Sequence, residues 1–212
     1  NNILKDIKKA TISDMKKLQL DYHSNLAYTL VPNILKHLDS NSVYGHKEVY
    51  IALKNWDYVE SPESVGALVF HVFLMSFIEN LYSDEINLLG DNYFELFTSL
   101  KYLLNRNIRE ILNGNSNSWV DDIKTKDKIE TVNDLVRNSL YDTHKYLTKN
   151  FGPNKSNWKW GDAHTVTHQH IIGKNKILDY LFKFNVGPFR SGGSEGTPNA
   201  GGYSTALNFK QT

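Results

Sequence analysis

The chain has 212 residues, of which 40% are hydrophobic and 12% aromatic, which is enough to bury a core. Its 24 basic residues nearly balance 23 acidic ones and are interspersed with them, which argues against a nucleic-acid partner. Cysteine is absent, which excludes disulfides, thiolate zinc sites and a cysteine nucleophile but leaves the compartment open.

The first part of the chain has apolar residues at helical spacing. Ser13 and Asp14 precede such a series and predict one long helix, which Pro32 kinks near its end. A short helix is predicted over residues 46–56. The most apolar run, residues 65–78, predicts a buried helix that extends to Leu81. This run is shorter than the roughly 20 residues that cross a bilayer, so we predict no membrane span.

Two more helices follow. Apolar residues between 92 and 112 recur at helical spacing and end before Asn113 and Gly114. Thr131 with Asp134 opens a further helix, which Gly152 closes. We therefore predict a helical layer over residues 1–152.

The composition changes after Gly152, where aromatic residues, histidines and then glycines dominate. A short helix over residues 177–182 is predicted, followed by extended chain, and the last residues, 208–212, are typical of a strand. We predict that residues 153–212 form a second segment that returns to a sheet core. The predicted fold class is α+β and mainly α-helical.

Four residues close in sequence have side chains that can bind metal: Asp162, His164, His168 and His170. Their spacing is not a recognised zinc pattern. Histidine beside tryptophan and glycine is more typical of a packed, hydrogen-bonded residue at a turn, so we favour a structural role.

A glycine-rich loop covers residues 192–197. It lacks the Lys-Ser or Lys-Thr pair of a phosphate-binding loop, and no helix is predicted to begin there. We therefore interpret it as a tight structural loop whose backbone Thr197 and Asn199 hydrogen-bond.

Two other groups have both a chemical and a structural interpretation. Asp121 and Asp122, with Glu130 nearby, have the side chains of an acid/base pair or a calcium site, but adjacent carboxylates before lysines are more typical of a salt-bridged surface or a helix cap. Three phenylalanines and a methionine of the apolar helix have side chains suited to lining an acyl pocket, but their spacing is also typical of core residues. The members of this second group are Phe70, Phe73, Met75 and Phe77.

Several segments in order resemble one known family. They are Ser13-Asp14-Met15, Leu53-Lys54-Asn55-Trp56-Asp57, Ser118-Trp119-Val120-Asp121-Asp122, Trp158-Lys159-Trp160-Gly161-Asp162-Ala163-His164, His170, Gly187-Pro188-Phe189, Gly192-Gly193 and Thr197-Pro198-Asn199-Ala200. Their order and spacing resemble the later part of the β subunit of penicillin acylase (penicillin amidase), an N-terminal-nucleophile hydrolase family that cleaves linear amides.

The resemblance implies a parent enzyme with an αββα fold that cuts its own precursor into α and β subunits. It also implies that the first side chain of the β subunit attacks the amide with its own α-amine as base. Asn1 carries a carboxamide, which is a poor nucleophile, so we expect the nucleophile and the oxyanion-hole asparagine to lie upstream.

We accordingly assign no catalytic, cofactor-binding or metal-binding residue to this chain, while the resemblance allows calcium in the complete enzyme. The family motif here departs at His168, where the family often has an aromatic residue, and at Ile171, where it often has proline. A structural or cleft-wall role is expected for eight motif residues: Trp158, Trp160, Asp162, His164, His170, Gly193, Thr197 and Asn199.

The expected function is that of a segment of a penicillin-acylase-like amidohydrolase that is inactive by itself. Expected substrates are a β-lactam, an acyl-homoserine lactone or a related acylated amine. Expected partners are the remainder of the β subunit and the α subunit, in a periplasmic or secreted enzyme as the family suggests. The alternatives are a non-enzymatic helical interaction module with exposed aromatics and a histidine-based metalloenzyme.

Overall fold

A computed structural model describes residues 2–5, 7–39, 43–90, 92–115 and 117–199. The predicted strand at 208–212 and Asn1 lie outside these residues. The described part is mostly helical with a small two-stranded sheet, which agrees with the predicted α+β class.

Ten α-helices are described. They are α1 (Asn2–Lys5), α2 (Ile12–Gln19), α3 (Asn25–Lys36), α4 (Lys47–Lys54), α5 (Val65–Ile86), α6 (Tyr93–Thr98), α7 (Lys101–Leu112), α8 (Val132–Phe151), α9 (Trp160–Ala163) and α10 (Lys176–Phe182). Strands β1 (Thr165–His168) and β2 (Val186–Arg190) pair antiparallel.

The chain divides into two compact units that alternate along the sequence. The first comprises Asn1–Leu26, Asp57–Ala67 and Lys159–Thr212, and the second comprises Ala27–Trp56 and Leu68–Trp158. We refer to them as the ribbon unit and the helical unit. The predicted division into 1–152 and 153–212 follows composition along the chain and stays a prediction.

The prediction of one long N-terminal helix is wrong. The chain forms α2 and α3, separated by residues 20–24, and Pro32 lies inside α3. The separation arises because the intervening backbone bonds elsewhere: Tyr22 O accepts from Glu60 N at 2.9 Å. The N-cap of α2 is Thr11 and not Ser13, since the Thr11 hydroxyl accepts from Asp14 N and the Asp14 carboxylate accepts from Thr11 N.

The predicted helix over 92–112 is likewise two helices, because the chain turns at Ser99 and Leu100 between α6 and α7. The other predicted helices are confirmed. The capping box of Thr131 and Asp134 opens α8, and Gly152 closes it with a φ of 84°.

The core of the helical unit is built around α5. Phe70, Phe73 and Phe77 are fully buried there, so these three aromatic side chains belong to the core. One stretch, Val65–Leu89, is long and apolar enough to cross a membrane by length and composition alone, and 67% of its most apolar window is buried inside the structure. Such burial is typical of a core helix.

The two strands form an irregular ribbon in the ribbon unit. Thr165 pairs with Arg190 and Val166 with Phe189, and the register then shifts so that His168 pairs with Val186. Gly187 lies at this irregularity with a φ of 126°, where a β-carbon would come within 2.7 Å of Val166 O. A side chain at this position would collide with the paired strand.

Candidate functional site

The residues of the strongest family motif converge in the ribbon unit around Trp160. Its ring is 2% exposed and stacks on the His164 imidazole, with centroids 4.7 Å apart and planes 5° apart. The indole Nε1 donates to Gly193 O at 3.0 Å. The helical turn α9 brings the two rings together, since His164 N donates to Trp160 O at 2.8 Å.

His164 joins this turn to the start of the glycine-rich loop. Its Nδ1 lies 3.1 Å from Ser191 O, and Ser191 N donates to His164 O at 3.0 Å. The side chain is 2% exposed. Because Nδ1 faces a carbonyl oxygen, this nitrogen carries the proton in the hydrogen-bonded tautomer. The imidazole therefore anchors the backbone at Ser191.

The loop that we call the glycine loop, residues 191–199, is held by its own side chains. The Thr197 hydroxyl accepts from Ser194 N at 3.0 Å and contacts Asn199 O at 2.6 Å. The Ser194 hydroxyl accepts from Gly196 N at 3.1 Å. The Thr197 side chain thus bonds the backbone of the loop, and Asn199 takes part through its backbone.

Gly193 sits where the glycine loop approaches itself most closely. Its φ is 74°, and a β-carbon there would come within 2.1 Å of Asn199 O and 2.8 Å of Thr197 Oγ1. Gly193 N donates to Glu60 O at 2.7 Å. Only glycine meets both the backbone angle and the lack of space.

Glu60 is a residue of this site that sequence reasoning missed. It is 0% exposed, its N–H donates to Tyr22 O, and its C=O accepts from Gly193 N. It thereby ties residues 20–24 and the glycine loop together. Nothing in the run Glu60-Ser61-Pro62-Glu63 distinguishes this buried carboxylate from the exposed Glu63.

An ion-pair network borders the turn on the surface. Glu63 contacts Lys159 Nζ at 2.8 Å and also the Arg190 guanidinium, whose Nε lies 2.8 Å from Asp162 Oδ1. The hydrogen bond from Lys159, followed by that from Arg190, lowers the pKa of Glu63 below its ordinary value. Asp162 is thus an ion-pair partner at the end of β2.

Three other residues of this part of the sequence have different surroundings. Trp158 belongs to the helical unit, where it is fully buried and donates from Nε1 to Gly152 O at 2.8 Å. His170 is exposed, accepts from Ile172 N through Nδ1 at 3.2 Å and stacks on Phe184. His168 lies beside Phe189.

No three His, Asp or Glu side chains converge to hold a metal ion within the part of the chain that the structure describes. Asp121, Asp122 and Glu130 bind backbone instead: Asp121 Oδ1 accepts from Glu130 N, and Glu130 Oε2 accepts from Asp122 N, each at 3.1 Å. These carboxylates close a loop in the helical unit.

A comparison with protein families matches the whole chain, residues 1–212, to the model of the Penicillin amidase family. The chain belongs to the penicillin amidase family. The resemblance drawn from the motifs is thereby confirmed. No curated protein matches the chain.

Membership in the penicillin amidase family implies a hydrolase of the acylase type. The motif residues of this chain form a buried cluster. Trp160, His164 and Glu60 use hydrogen bonds to backbone atoms to set the path of the glycine loop.

Proposed function

We propose that this chain is the later part of the β subunit of a penicillin-acylase-like amidohydrolase that cleaves linear N-acyl amides. The observation that carries the proposal is the match to the penicillin amidase family over all 212 residues. The packed motif residues support it, since Trp160 and His164 are buried together and bind the glycine loop.

In this proposal the chain is inactive alone and forms a wall of the cleft. The polar groups of the motif support such a role, because His164 Nδ1 and the Thr197 hydroxyl bind backbone groups. The nucleophile is the first side chain of the complete β subunit, and its α-amine is the general base. Backbone and asparagine donors of the same enzyme stabilise the oxyanion.

The parent enzyme has an αββα fold, with the remainder of the β subunit and the α subunit as partners. Its substrate is an acylated amine, such as a β-lactam or an acyl-homoserine lactone, and its compartment is the periplasm or the exterior. Calcium belongs to the complete enzyme in this proposal and not to the described residues of this chain. The family membership supports these points as a group.

The test is an assay with p-nitroanilides of phenylacetic acid and of long-chain fatty acids. We expect hydrolysis by a self-processed precursor that contains this chain, and none by residues 1–212 alone. His164→Ala in the precursor lowers activity through loss of loop order, whereas a control such as Leu88→Ser on an exposed position leaves it unchanged. Turnover by the isolated chain would contradict the assignment.

A non-enzymatic interaction module is the second candidate. It is favoured by exposed aromatic side chains of the helical unit, where Tyr44 and Tyr141 are 89% and 51% exposed. A precursor that processes itself but hydrolyses neither class of anilide, while the chain binds a partner, would favour this second function.

A further inference from the structure

The segment between the two strands projects an ordered apolar surface. We call residues 171–184 the apolar knob. Asn185 organises its base: Asn185 Nδ2 donates to Gly173 O at 2.9 Å, its Oδ1 accepts from His170 N at 2.9 Å, and its N–H donates to Asp179 Oδ1 at 2.8 Å. Polar bonds therefore hold the knob in shape.

Large apolar side chains of the knob point into solvent. Seven of them are at least 36% exposed: Ile171, Ile172, Ile177, Leu178, Tyr180, Leu181 and Phe182. Together they expose on the order of 800 Å² of largely apolar surface, compared with about 300–600 Å² for the largest patch on a typical monomer. Exposed apolar surface of this size marks sites that contact a partner or a membrane.

The distribution around α10 indicates what kind of environment fits. At about 100° per residue, the apolar side chains 177, 178, 180, 181 and 182 cover an arc of about 200°. Lys176 and Asp179 lie on the remaining face, and Lys183 follows the helix as its C-cap with a left-handed backbone. A groove on a protein accepts a stripe of residues three and four positions apart, whereas an arc this wide suits an isotropic apolar phase.

The knob also carries three lysines. Lys174, Lys176 and Lys183 are exposed, and none forms a salt bridge with another described residue. The knob holds one carboxylate, Asp179, which accepts from Asn185 N and keeps its negative charge. Three lysines against one aspartate leave the knob with a net formal charge of +2.

An open cleft of about 580 Å³ at the base of the knob brings these features together. Lys174 and Lys176 line it together with one carboxylate, Asp179, and the remaining lining residues are Gln169, Gly173, Tyr180 and Asn185. Lysines bind phosphate, and long lysine side chains extend from an apolar surface to the headgroup level. Tyrosine is enriched at the same depth.

We propose that the apolar knob inserts into the surface of an anionic lipid bilayer. Leu181, Phe182 and their apolar neighbours lie at the acyl boundary, and the three lysines contact lipid phosphates. The chain does not span the bilayer through this segment, since a two-turn helix lies within the interface. This inference is independent of the proposed amidase function.

The test is co-sedimentation of the 212-residue chain with phosphatidylcholine vesicles, with and without phosphatidylglycerol. We expect binding to the mixed vesicles to be about 30-fold tighter than to pure phosphatidylcholine, because each net positive charge near an anionic surface contributes about 1 kcal/mol and the knob carries two. The double change Ile177→Ser and Leu181→Ser abolishes binding, and Lys174→Gln with Lys176→Gln and Lys183→Gln removes the preference for phosphatidylglycerol.

Leu88 and Leu89 offer the matched control, since they are 74% and 62% exposed and lie outside the knob. Changing both to serine leaves vesicle binding intact, and circular dichroism verifies that every variant retains its helices. Absence of binding to mixed vesicles overturns the proposal, as does an equal loss in the control. Binding by this chain but not by a longer precursor also overturns it, since another part of the polypeptide would then cover the knob.

Discussion

Gly193→Ala is the change to which the glycine loop is most sensitive. The new β-carbon would lie 2.1 Å from Asn199 O and 2.8 Å from Thr197 Oγ1, and the φ of 74° disfavours alanine. The left-handed angle costs about 1–2 kcal/mol. Relief of the collision requires the chain at Asn199 to move.

A shift of the chain at Asn199 breaks hydrogen bonds made by Thr197 and by the Asn199 backbone. The Thr197 hydroxyl bonds both Ser194 N and Asn199 O, and Asn199 N donates to Asp21 O at 2.9 Å. Losing two or three of them costs about 1 kcal/mol each. The smaller entropy of the unfolded alanine chain returns about 0.5–1 kcal/mol. We therefore expect Gly193→Ala to destabilise the glycine loop by about 3 kcal/mol.

The assay is amide hydrogen exchange of the peptide that covers residues 191–199. Gly196→Ala is the matched control in the same loop, because its β-carbon would come no closer than 3.3 Å to Leu26 Cβ. We expect it to change the opening free energy by less than about 1 kcal/mol. Equal exchange rates in the two variants would refute the close approach at Gly193.

Three further predictions concern other parts of the chain. Burial raises the pKa of Glu85 to about 7, and the hydrogen bond and charge of Asp84 add to the rise. The folded state therefore holds a proton that the unfolded state releases above about pH 4.5. The resulting contribution to the free energy of unfolding is present at low pH and is lost as the pH rises through 7. A shift of this size corresponds to about 3 kcal/mol before solvent screening, so we expect a loss of about 1–2 kcal/mol between pH 5 and 8 in urea unfolding, and a flat profile for Glu85→Gln. Trp160→Phe removes the indole N–H that donates to Gly193 O and leaves this carbonyl without that partner, so we expect about 2–3 kcal/mol of destabilisation. Unchanged amide hydrogen exchange in the glycine loop would contradict this expectation. The ion pairs lower the pKa of Glu63, so the stability that this carboxylate contributes is present above its ordinary pKa and is lost as the pH falls through the lowered value. Glu63→Gln should therefore flatten the loss of stability at acid pH. An unaltered loss at acid pH would count against the network.

The helices of the chain could be predicted from local patterns where the signal is strong. The capping box of Thr131 and Asp134 and the glycine after α8 are local features, and the structure confirms both. The apolar run of α5 has no single polar face, which is typical of a buried helix, and the structure buries its aromatic residues. Local chemistry was sufficient in these cases.

The break between α2 and α3 could not be predicted in this way. Residues 18, 22, 26 and 30 continue the helical spacing, but the backbone of Tyr22 and Ser24 bonds residues 58–60 across a long stretch of sequence. A tertiary partner therefore outcompeted the helix. The break between α6 and α7 at Ser99 and Leu100 has no comparable partner among the bonds of the described residues.

The candidate site was predicted in its members but not in its connections. The structural role of His164 and the tight loop around Gly193 followed from residue types and the family motif. Glu60 did not, because its burial depends on the loop that returns more than 130 residues later. Among the described residues Asp162 pairs with Arg190, and no three His, Asp or Glu side chains form a metal-binding group.

The most direct test of the central claim is hydrolysis of phenylacetyl p-nitroanilide by a self-processed precursor that contains residues 1–212. We expect turnover by the processed enzyme and none by the isolated chain. We also expect a reduced rate with Gly193→Ala but not with Gly196→Ala. Turnover by residues 1–212 alone, or a processed precursor that cleaves no acyl anilide, would contradict the assignment to an amide-hydrolysing β subunit.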